Sequence, residues 1–590
     1  MSKIRVMDEL LANKIAAGEV VEKCVSIVKE LVENSVDANA SEIKIELKEA
    51  GLREIKVIDN GIGMDEVDAK NAFLRHATSK LYSDDDLFSI TTLGFRGEAL
   101  PSIASVSEVI LKTSQNDLGT LVHIKGGKIL EVSKAEARVG TSITVTNLFY
   151  NTPARLKHLS SVNTELSHIV EYVNKMALSH SDIRFILIND DKELLNTQGN
   201  SNLLKVINSI YGIDVAKKML EIKVNNQDYD IYGYISLPEV NRASRNHISI
   251  IVNGRVVRNT ILNKVINEAY SSYKEDSRYP IVVLLIEVDP NLIDVNVHPA
   301  KLEVKFSNFE DLKELITEAI TTAINNKLLI PKIELPKKME VKKENLSLNL
   351  ERNIVAEDPS EYTTKLSEII NMNDKIEEPE EEIIINNYVE EVEDTTNKLP
   401  ELYPVGLALG TYIICQNELG VYLIDQHAAK ERINYEKYSY LLSHPNNNTI
   451  KPLFPIIIEL PMNEFLLIKE KIEILENLNI KIEEFGTSSY RINSYPTWFP
   501  NGYEEKIIRN IFDILNSKTS FSLEKFNDNL AASIACKASI KANTNITIEA
   551  MEVLINDLRK CNNPFNCPHG RPTIIHFTIY ELEKMFKRSM

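Results

Sequence analysis

Cysteine is scarce: five residues (Cys24, Cys415, Cys536, Cys561, Cys567) among 590 form an odd and scattered set, which excludes a disulfide framework. Long apolar runs are missing as well. The longest, such as Ile281 to Ile286, fall far short of the roughly 20 residues a membrane span needs, so no membrane partner is expected. Acidic residues enter early (Asp8, Glu9, Glu19), and the basic-then-apolar layout of a signal peptide is not there. No G-x-x-x-x-G-K-[ST] loop occurs, which excludes P-loop chemistry; a strand running into G-x-G-x-x-G is also lacking, which disfavours a dinucleotide-binding domain. No repeat of 20–50 residues stands out. These absences describe a soluble, intracellular protein.

What is present is ordinary in bulk and uneven in layout. Hydrophobic residues at 43% and charged residues at 26% match globular proteins, and the length suits two to four domains. The net charge of −18 taken whole argues against nucleic-acid binding. Residues 351–400, however, hold 15 acids and 4 bases, a net of −11 that leaves only −7 for the rest, so a basic face elsewhere is allowed. Residues 1 to about 330 mix amphipathic helical patterns (Val20 to Val36) with β-rich runs such as Ile43-Lys-Ile-Glu-Leu, Ile55-Lys-Val-Ile and Ser142-Ile-Thr-Val-Thr; that mixture indicates α/β layers. The apolar signal weakens near 190–215, and new strand patterns at Tyr229 to Leu237, Ile248 to Val252 and Ile281 to Val288 place a second domain there. From about 333 to 398 the texture turns to Lys, Glu, Asn and Pro, ending in Glu377-Glu-Pro-Glu-Glu-Glu. Such a segment buries too little apolar surface to offset its ordering entropy; as a flexible tether it would span very roughly 45 Å. Within it, Ile383-Ile-Ile reads as a transient strand or a docking site. Order returns over 400–590, where the chain's one tryptophan, Trp498, lies.

Chemistry concentrates at the two ends. In Val28-Lys-Glu-Leu-Val-Glu-Asn-Ser-Val-Asp-Ala-Asn-Ala a helix puts Glu30 and Asn34 on one face, where a carboxylate and an amide oxygen suit a water-activating base beside an Mg²⁺ ligand. Next, Val57-Ile-Asp-Asn-Gly-Ile-Gly-Met-Asp ends a strand in Asp59, an acceptor for an exocyclic amine, with Gly61 and Gly63 allowing close approach of backbone to a ring or phosphate. Leu93-Gly-Phe-Arg-Gly-Glu-Ala-Leu, preceded by His76-Ala-Thr-Ser-Lys, offers free N–H groups and a cation as a phosphate cradle. In the second domain Arg242, Arg245, Arg255 and Arg258 face the single acid Glu239 between Pro238 and Thr260, a candidate phosphate-contacting edge.

Toward the C-terminus, Val421-Tyr-Leu-Ile runs as a strand into Asp425-Gln-His-Ala-Ala-Lys-Glu-Arg-Ile-Asn-Tyr-Glu436. A helix starting near Gln426 sets His427 and Glu431 on one face with Asp425 at its mouth. Imidazole plus carboxylates suits Zn²⁺ or Mn²⁺. Ala535-Cys-Lys-Ala-Ser-Ile-Lys adds Cys536, and Phe565-Asn-Cys-Pro-His-Gly-Arg-Pro adds Cys567 and His569 two apart across a proline. Cys561 has no partner motif.

Glu30-x-x-x-Asn34, Asp59-x-Gly61-x-Gly63, Gly94-Phe-Arg-Gly-Glu98 and Gly140-Thr141 resemble, in order and spacing, the GHKL ATPases. Within them, Ile15-Ala-Ala-Gly-Glu-Val-Val, Lys29-Glu-Leu-Val-Glu-Asn-Ser, Phe149-Tyr-Asn-Thr-Pro-Ala-Arg, Asn253-Gly-Arg and Asp294-Val-Asn-Val-His-Pro-Ala-Lys resemble the MutL family of DNA mismatch repair, with Lys23-Cys24 departing from its usual Arg-Pro. The Asp425–Glu436 motif, Ala535-Cys-Lys and Cys567-Pro-His-Gly-Arg-Pro resemble its nicking-endonuclease form. The resemblance implies a GHKL (Bergerat) α/β sandwich over 1–205 and a ribosomal-S5-like α/β domain over 206–330. It further implies an acidic disordered linker over 331–399 and an α+β dimerisation and endonuclease domain over 400–590, with a regulatory subdomain inserted at about 450–530.

The resemblance also assigns roles. Glu30 is the general base for ATP hydrolysis, Asn34 the Mg²⁺ ligand and Asp59 the adenine partner. Thr78, Ser79 and Lys80 with Gly94, Phe95, Arg96, Gly97, Glu98, Ala99 and Leu100 form a lid over the phosphates; Thr141 joins them, and Lys301 reaches the γ-phosphate. Metal ligands are His427, Glu431, Cys536, Cys567 and His569, with Asp425 and Glu431 catalytic. Double-stranded DNA, MutS and a second copy of the chain are the implied partners, in the cytoplasm at the nucleoid. The replication sliding clamp is a candidate, although Thr449-Ile-Lys-Pro-Leu-Phe-Pro455 lacks the glutamine of the family's clamp motif. Two rivals stand beside this reading: a gyrase-like topoisomerase, for which a DNA-gate domain is lacking, and a non-enzymatic matchmaker with structural zinc.

Overall fold

Apolar alternation at Ile43, Ile45 and Leu47, answered by Ile55 and Val57, makes two strands with one buried face each: β1 (Glu42–Lys48) and β2 (Glu54–Asp59). They pair antiparallel with Ile45 opposite Val57. This is the centre of a computed structural model that describes residues 18, 20–80, 92–94, 97–115, 118–136, 138–273, 278–294, 304–328, 399–444, 448–516, 523–539 and 545–588. Lys301, Phe95, Arg96 and the Ile383 patch lie outside those residues.

Six further strands complete the first sheet: β3 (Glu108–Ser114), β4 (Gly119–Lys125), β5 (Lys128–Ala135), β6 (Gly140–Thr146), β7 (Arg184–Asn189) and β8 (Lys192–Asn196), in the order β5-β4-β3-β6-β2-β1-β7-β8. Helix α1 (Cys24–Asp37) buries Ile27, Val28, Leu31, Val32 and Ser35, the three-to-four spacing of a stripe facing a sheet. Each fully buried Ile or Leu of this kind contributes about 1.5–3 kcal/mol. Cys24 lies in the same layer with no exposure, and burial pushes its thiol up to about 12; it packs rather than reacts. Helix α2 (Ala99–Val106) and the long helix α3 (Val162–Ser179) complete the layer.

A second sheet follows from β9 (Met219–Asn225), β10 (Tyr229–Ser236), β11 (Ile248–Val252), β12 (Arg255–Val257) and β13 (Val282–Val288), ordered β12-β11-β13-β10-β9. Strand β11 is buried at every position and runs parallel to β13, which is why Ile248 to Val252 reads as one unbroken apolar run. Helices α4 (Thr260–Ala269) and α5 (Phe309–Leu328) pack with it.

The C-terminal portion is α+β. Strands β14 (Tyr403–Ala408), β15 (Tyr412–Asn417), β16 (Gly420–Asp425) and β21 (Ile574–Thr578) form one antiparallel sheet, while β17 (Thr449–Ile450), β18 (Ile456–Glu459), β19 (Lys481–Phe485) and β20 (Ser489–Pro496) form another. Helix α6 (Gln426–Ser443) leaves β16 without a linker. Nearby are α7 (Leu523–Ala538) and α8 (Ile548–Arg559). Among the described residues no helix is long and apolar enough to cross a membrane.

Candidate functional site

Helix α1 presents Glu30 and Asn34, both half-buried, one turn apart on the edge of its buried stripe. Asn34 Oδ1 accepts from the Lys80 ammonium at 3.0 Å. The same ammonium donates to Asp37 Oδ2 at 2.6 Å, and Asp37 also accepts from the backbone N–H groups of Leu93 at 2.8 Å and Gly94 at 2.9 Å. Thr78 Oγ1 accepts from Lys80 N at 3.2 Å, while Ser79 is exposed. The two segments expected to cover phosphates thus meet at the end of the helix expected to carry the base. They also touch each other: His76 N donates to Gly97 O at 3.2 Å, and His76 Nδ1 lies 3.7 Å from Glu98 Oε1. Gly97 (φ +63) stands against the Ala77 carbonyl, where a side chain has no room. Ala99 and Leu100 open α2.

Asp59 closes β2 from inside the domain, at 6% exposure. Its Oδ1 accepts from Gly61 N at 2.9 Å and Thr141 N at 3.1 Å, and its Oδ2 from Ser35 Oγ at 3.0 Å. Burial raises its carboxyl pKa, and these donors offset only part of the rise. Gly63 (φ +66) adopts the left-handed backbone that favours glycine, pressed against Ser114. A buried acceptor fixed by three donors beside a glycine turn suits recognition of an exocyclic amine.

At the other centre, Asp425 caps α6: its Oδ1 accepts from His427 N at 2.9 Å and Ala428 N at 3.0 Å. One turn on, Glu431 is 3% exposed. His427 Nε2 lies 3.4 Å from its Oε1, and His569 Nδ1 lies 3.4 Å from its Oε2. The ligand atoms of Glu431, Cys567 and His569 are all within 4.8 Å of one another, though the three come from segments far apart in sequence. Carboxylate, thiol and imidazole at that spacing suit Zn²⁺ or another soft-tolerant divalent ion. The loop bearing Cys567 and His569 is held from below: Glu436 accepts from Asn562 N at 2.7 Å and Asn563 N at 3.1 Å, and Arg432 Nε donates to Asn566 O at 2.5 Å.

Two expected residues stand apart from their groups. Cys536 lies on α7 and is not in the ligand group; its small-residue neighbours, Ala531 and Ala535, serve helix packing. Arg255 is 7% exposed, and its guanidinium donates to the Thr92 carbonyl, so it faces the nucleotide-side segment instead of solvent. Arg245 and Arg258 are exposed and Arg242 half-buried. Asp37 has no role assigned from the sequence; its signal is its place three residues beyond Asn34.

Residues 22–147 match the family described as histidine kinase-, DNA gyrase B-, and HSP90-like ATPase, residues 207–325 the DNA mismatch repair protein, C-terminal domain, and residues 405–546 the MutL C terminal dimerisation domain. The DNA mismatch repair protein MutL of Geobacillus sp. (strain WCH70) is 47% identical over 620 residues, covering 100% of both chains. That of Listeria innocua serovar 6a is 46% identical over 597 residues and covers 99% of each. Among solved structures, the Aquifex aeolicus MutL ATPase domain complexed with ADP is similar at 25% identity, covering 50% of this chain and 98% of that one, with a TM-score of 0.37. Identity near one half along the whole length, with an ATPase family and a dimerisation family matched in sequence order, makes this chain a member of the MutL family of DNA mismatch repair proteins.

Proposed function

We propose that this chain is a homodimeric, ATP-hydrolysing clamp that couples mismatch recognition by MutS to strand nicking by its own C-terminal metal centre. The observation that carries the nuclease reading is the convergence of Glu431, Cys567 and His569 on one point. His427 stands beside that point, and Asp425, its Oδ1 anchored by two N–H groups, is the catalytic carboxylate. A Zn²⁺ or Mn²⁺ ion held there supplies Lewis acidity toward a phosphodiester. The Asp425 carboxylate, positioned at the helix mouth, handles the proton of the attacking water.

In the N-terminal domain Glu30 is the base that receives the water proton, Asn34 the Mg²⁺ ligand and Asp59 the partner of the adenine amine. Gly61, Gly63, Thr78, Ser79, Lys80, Gly94 to Leu100, Thr141 and Lys301 contact the nucleotide. Division at 1–205, 206–330, 331–399 and 400–590, with an insert at about 450–530, assigns each activity its own domain. Arg242, Arg245 and Arg258 form a non-specific, salt-sensitive contact with double-stranded DNA. Leu453 and Phe454, 90% and 80% exposed, offer an apolar anchor for a sliding clamp despite the missing glutamine. The setting is the cytoplasm, at the nucleoid.

Nicking of supercoiled plasmid in Mn²⁺ tests the proposal. The full chain converts the plasmid to open circle, and Asp425→Asn, folded as wild type, is slower by about 100-fold or more. Wild-type nicking by that variant rejects the assignment; no nicking by either protein, with zinc retained, favours the non-enzymatic matchmaker.

A further inference from the structure

Asp37 is the last residue of α1, a position where the helix dipole disfavours an anion. Its carboxylate is nevertheless only 6% exposed. Three donors from two distant segments compensate: the Lys80 ammonium, 43 residues away, and the N–H groups of Leu93 and Gly94, 56 and 57 residues away. Lys80 bridges on to Asn34. From the opposite side, Arg255 at the start of β12 holds the carbonyl of Thr92, the neighbour of Leu93. The 92–94 strip is therefore gripped twice, by the ATPase helix on its amides and by the second domain on its carbonyl. Ordinary helix capping needs neither grip.

We propose that Asp37 is a positioning residue for ATP hydrolysis, keeping Lys80 and the Leu93–Gly94 amides in register with Glu30 and Asn34, and that through the shared 92–94 strip it links the nucleotide site to the Arg255-bearing edge of the second domain. This rests on the ATPase reading of Glu30 and Asn34. Asp37 touches no reacting atom. Losing its charge loosens the groups that grip nucleotide and leaves the base and the metal ligand in place.

Steady-state MgATP turnover and hydrogen exchange on the full chain test the proposal. Asp37→Asn raises KM for ATP by about tenfold or more, the scale of one lost hydrogen bond to a charged group, with kcat within about threefold. In the nucleotide-free protein, amides of the 92–94 strip exchange faster while those of β11 and β13 do not. A merely structural role would lower thermal stability and leave KM and strip exchange unchanged, and that result overturns the proposal; so does a fall in kcat at constant KM. Should Asp37→Asn not fold, Asp37→Ser serves: a raised KM with faster exchange in the 92–94 strip supports the link, and wild-type values of both refute it. Glu30→Ala is run alongside. Persistent turnover there refutes the base assignment itself, whereas an inactive Glu30→Ala with a wild-type KM in Asp37→Asn refutes only the positioning role.

Discussion

Glu108 on β3 sits among Lys125 at 2.9 Å, His123 at 2.9 Å and Asn147 at 3.0 Å. Hydrogen bonds from Lys125 first, then His123 and Asn147, hold its carboxyl down at about 2, against an ordinary value of 4.5. A lowered folded pKa means that the stabilisation is complete above pH 4.5 and drains away as pH falls toward 2. Urea denaturation of the wild type and Glu108→Gln should show a stability difference that shrinks over that window; a difference constant with pH would contradict the assignment. Asp59 runs the other way, because burial raises its pKa: acidification relieves the cost of its buried charge. At this scale the placement of Glu30, Asn34 and Asp59 is legible in the sequence, because one helix and one strand end set it. The sequence is silent on Asp37, whose partners lie 43 to 57 residues away, and on the burial of Arg255. A basic side chain reads as solvent-facing until a carbonyl from another segment is seen to claim it.

Helix α6 shows how an element can be legible by its boundary alone. Gln426, Ala428, Ala429, Glu431, Arg432 and Asn434 are all buried, so no clean apolar stripe marks the helix. Its start is marked by the Asp425 cap after an apolar strand, as expected from Val421 to Asp425. The packing of α6 against the 562–573 loop was not legible, because backbone groups of Asn562, Asn563 and Asn566 make it and these say nothing in a sequence. Glu436 and Arg432 act as the outer support of the ligand loop. Glu436→Gln weakens the charge-assisted part of that support, and metal affinity measured by chelator competition should drop about tenfold, with little change in secondary structure. Unaltered affinity would show that the loop positions Cys567 and His569 unaided.

For the whole molecule, the family match makes the C-terminal portion a dimerisation domain. In that portion Tyr403, Leu409, Tyr580 and Phe586 are between 62% and 84% exposed. The acidity that seemed to argue against DNA is concentrated in residues 351–400, with a net of −11 out of −18, and DNA contact depends on local field rather than on the total. Two centres on one chain, one built around α1 and the other around α6, are what the proposed coupling of ATP turnover to nicking requires.

Whether Glu431, Cys567 and His569 share one metal ion is decided by X-ray absorption at the zinc edge of the Zn²⁺-loaded full chain. A shared ion gives a sulfur scatterer at about 2.3 Å beside nitrogen and oxygen ligands, lost in Cys567→Ser and unchanged in Cys536→Ser. Sulfur that survives Cys567→Ser, or a wild-type shell with no sulfur in it, would contradict the claim.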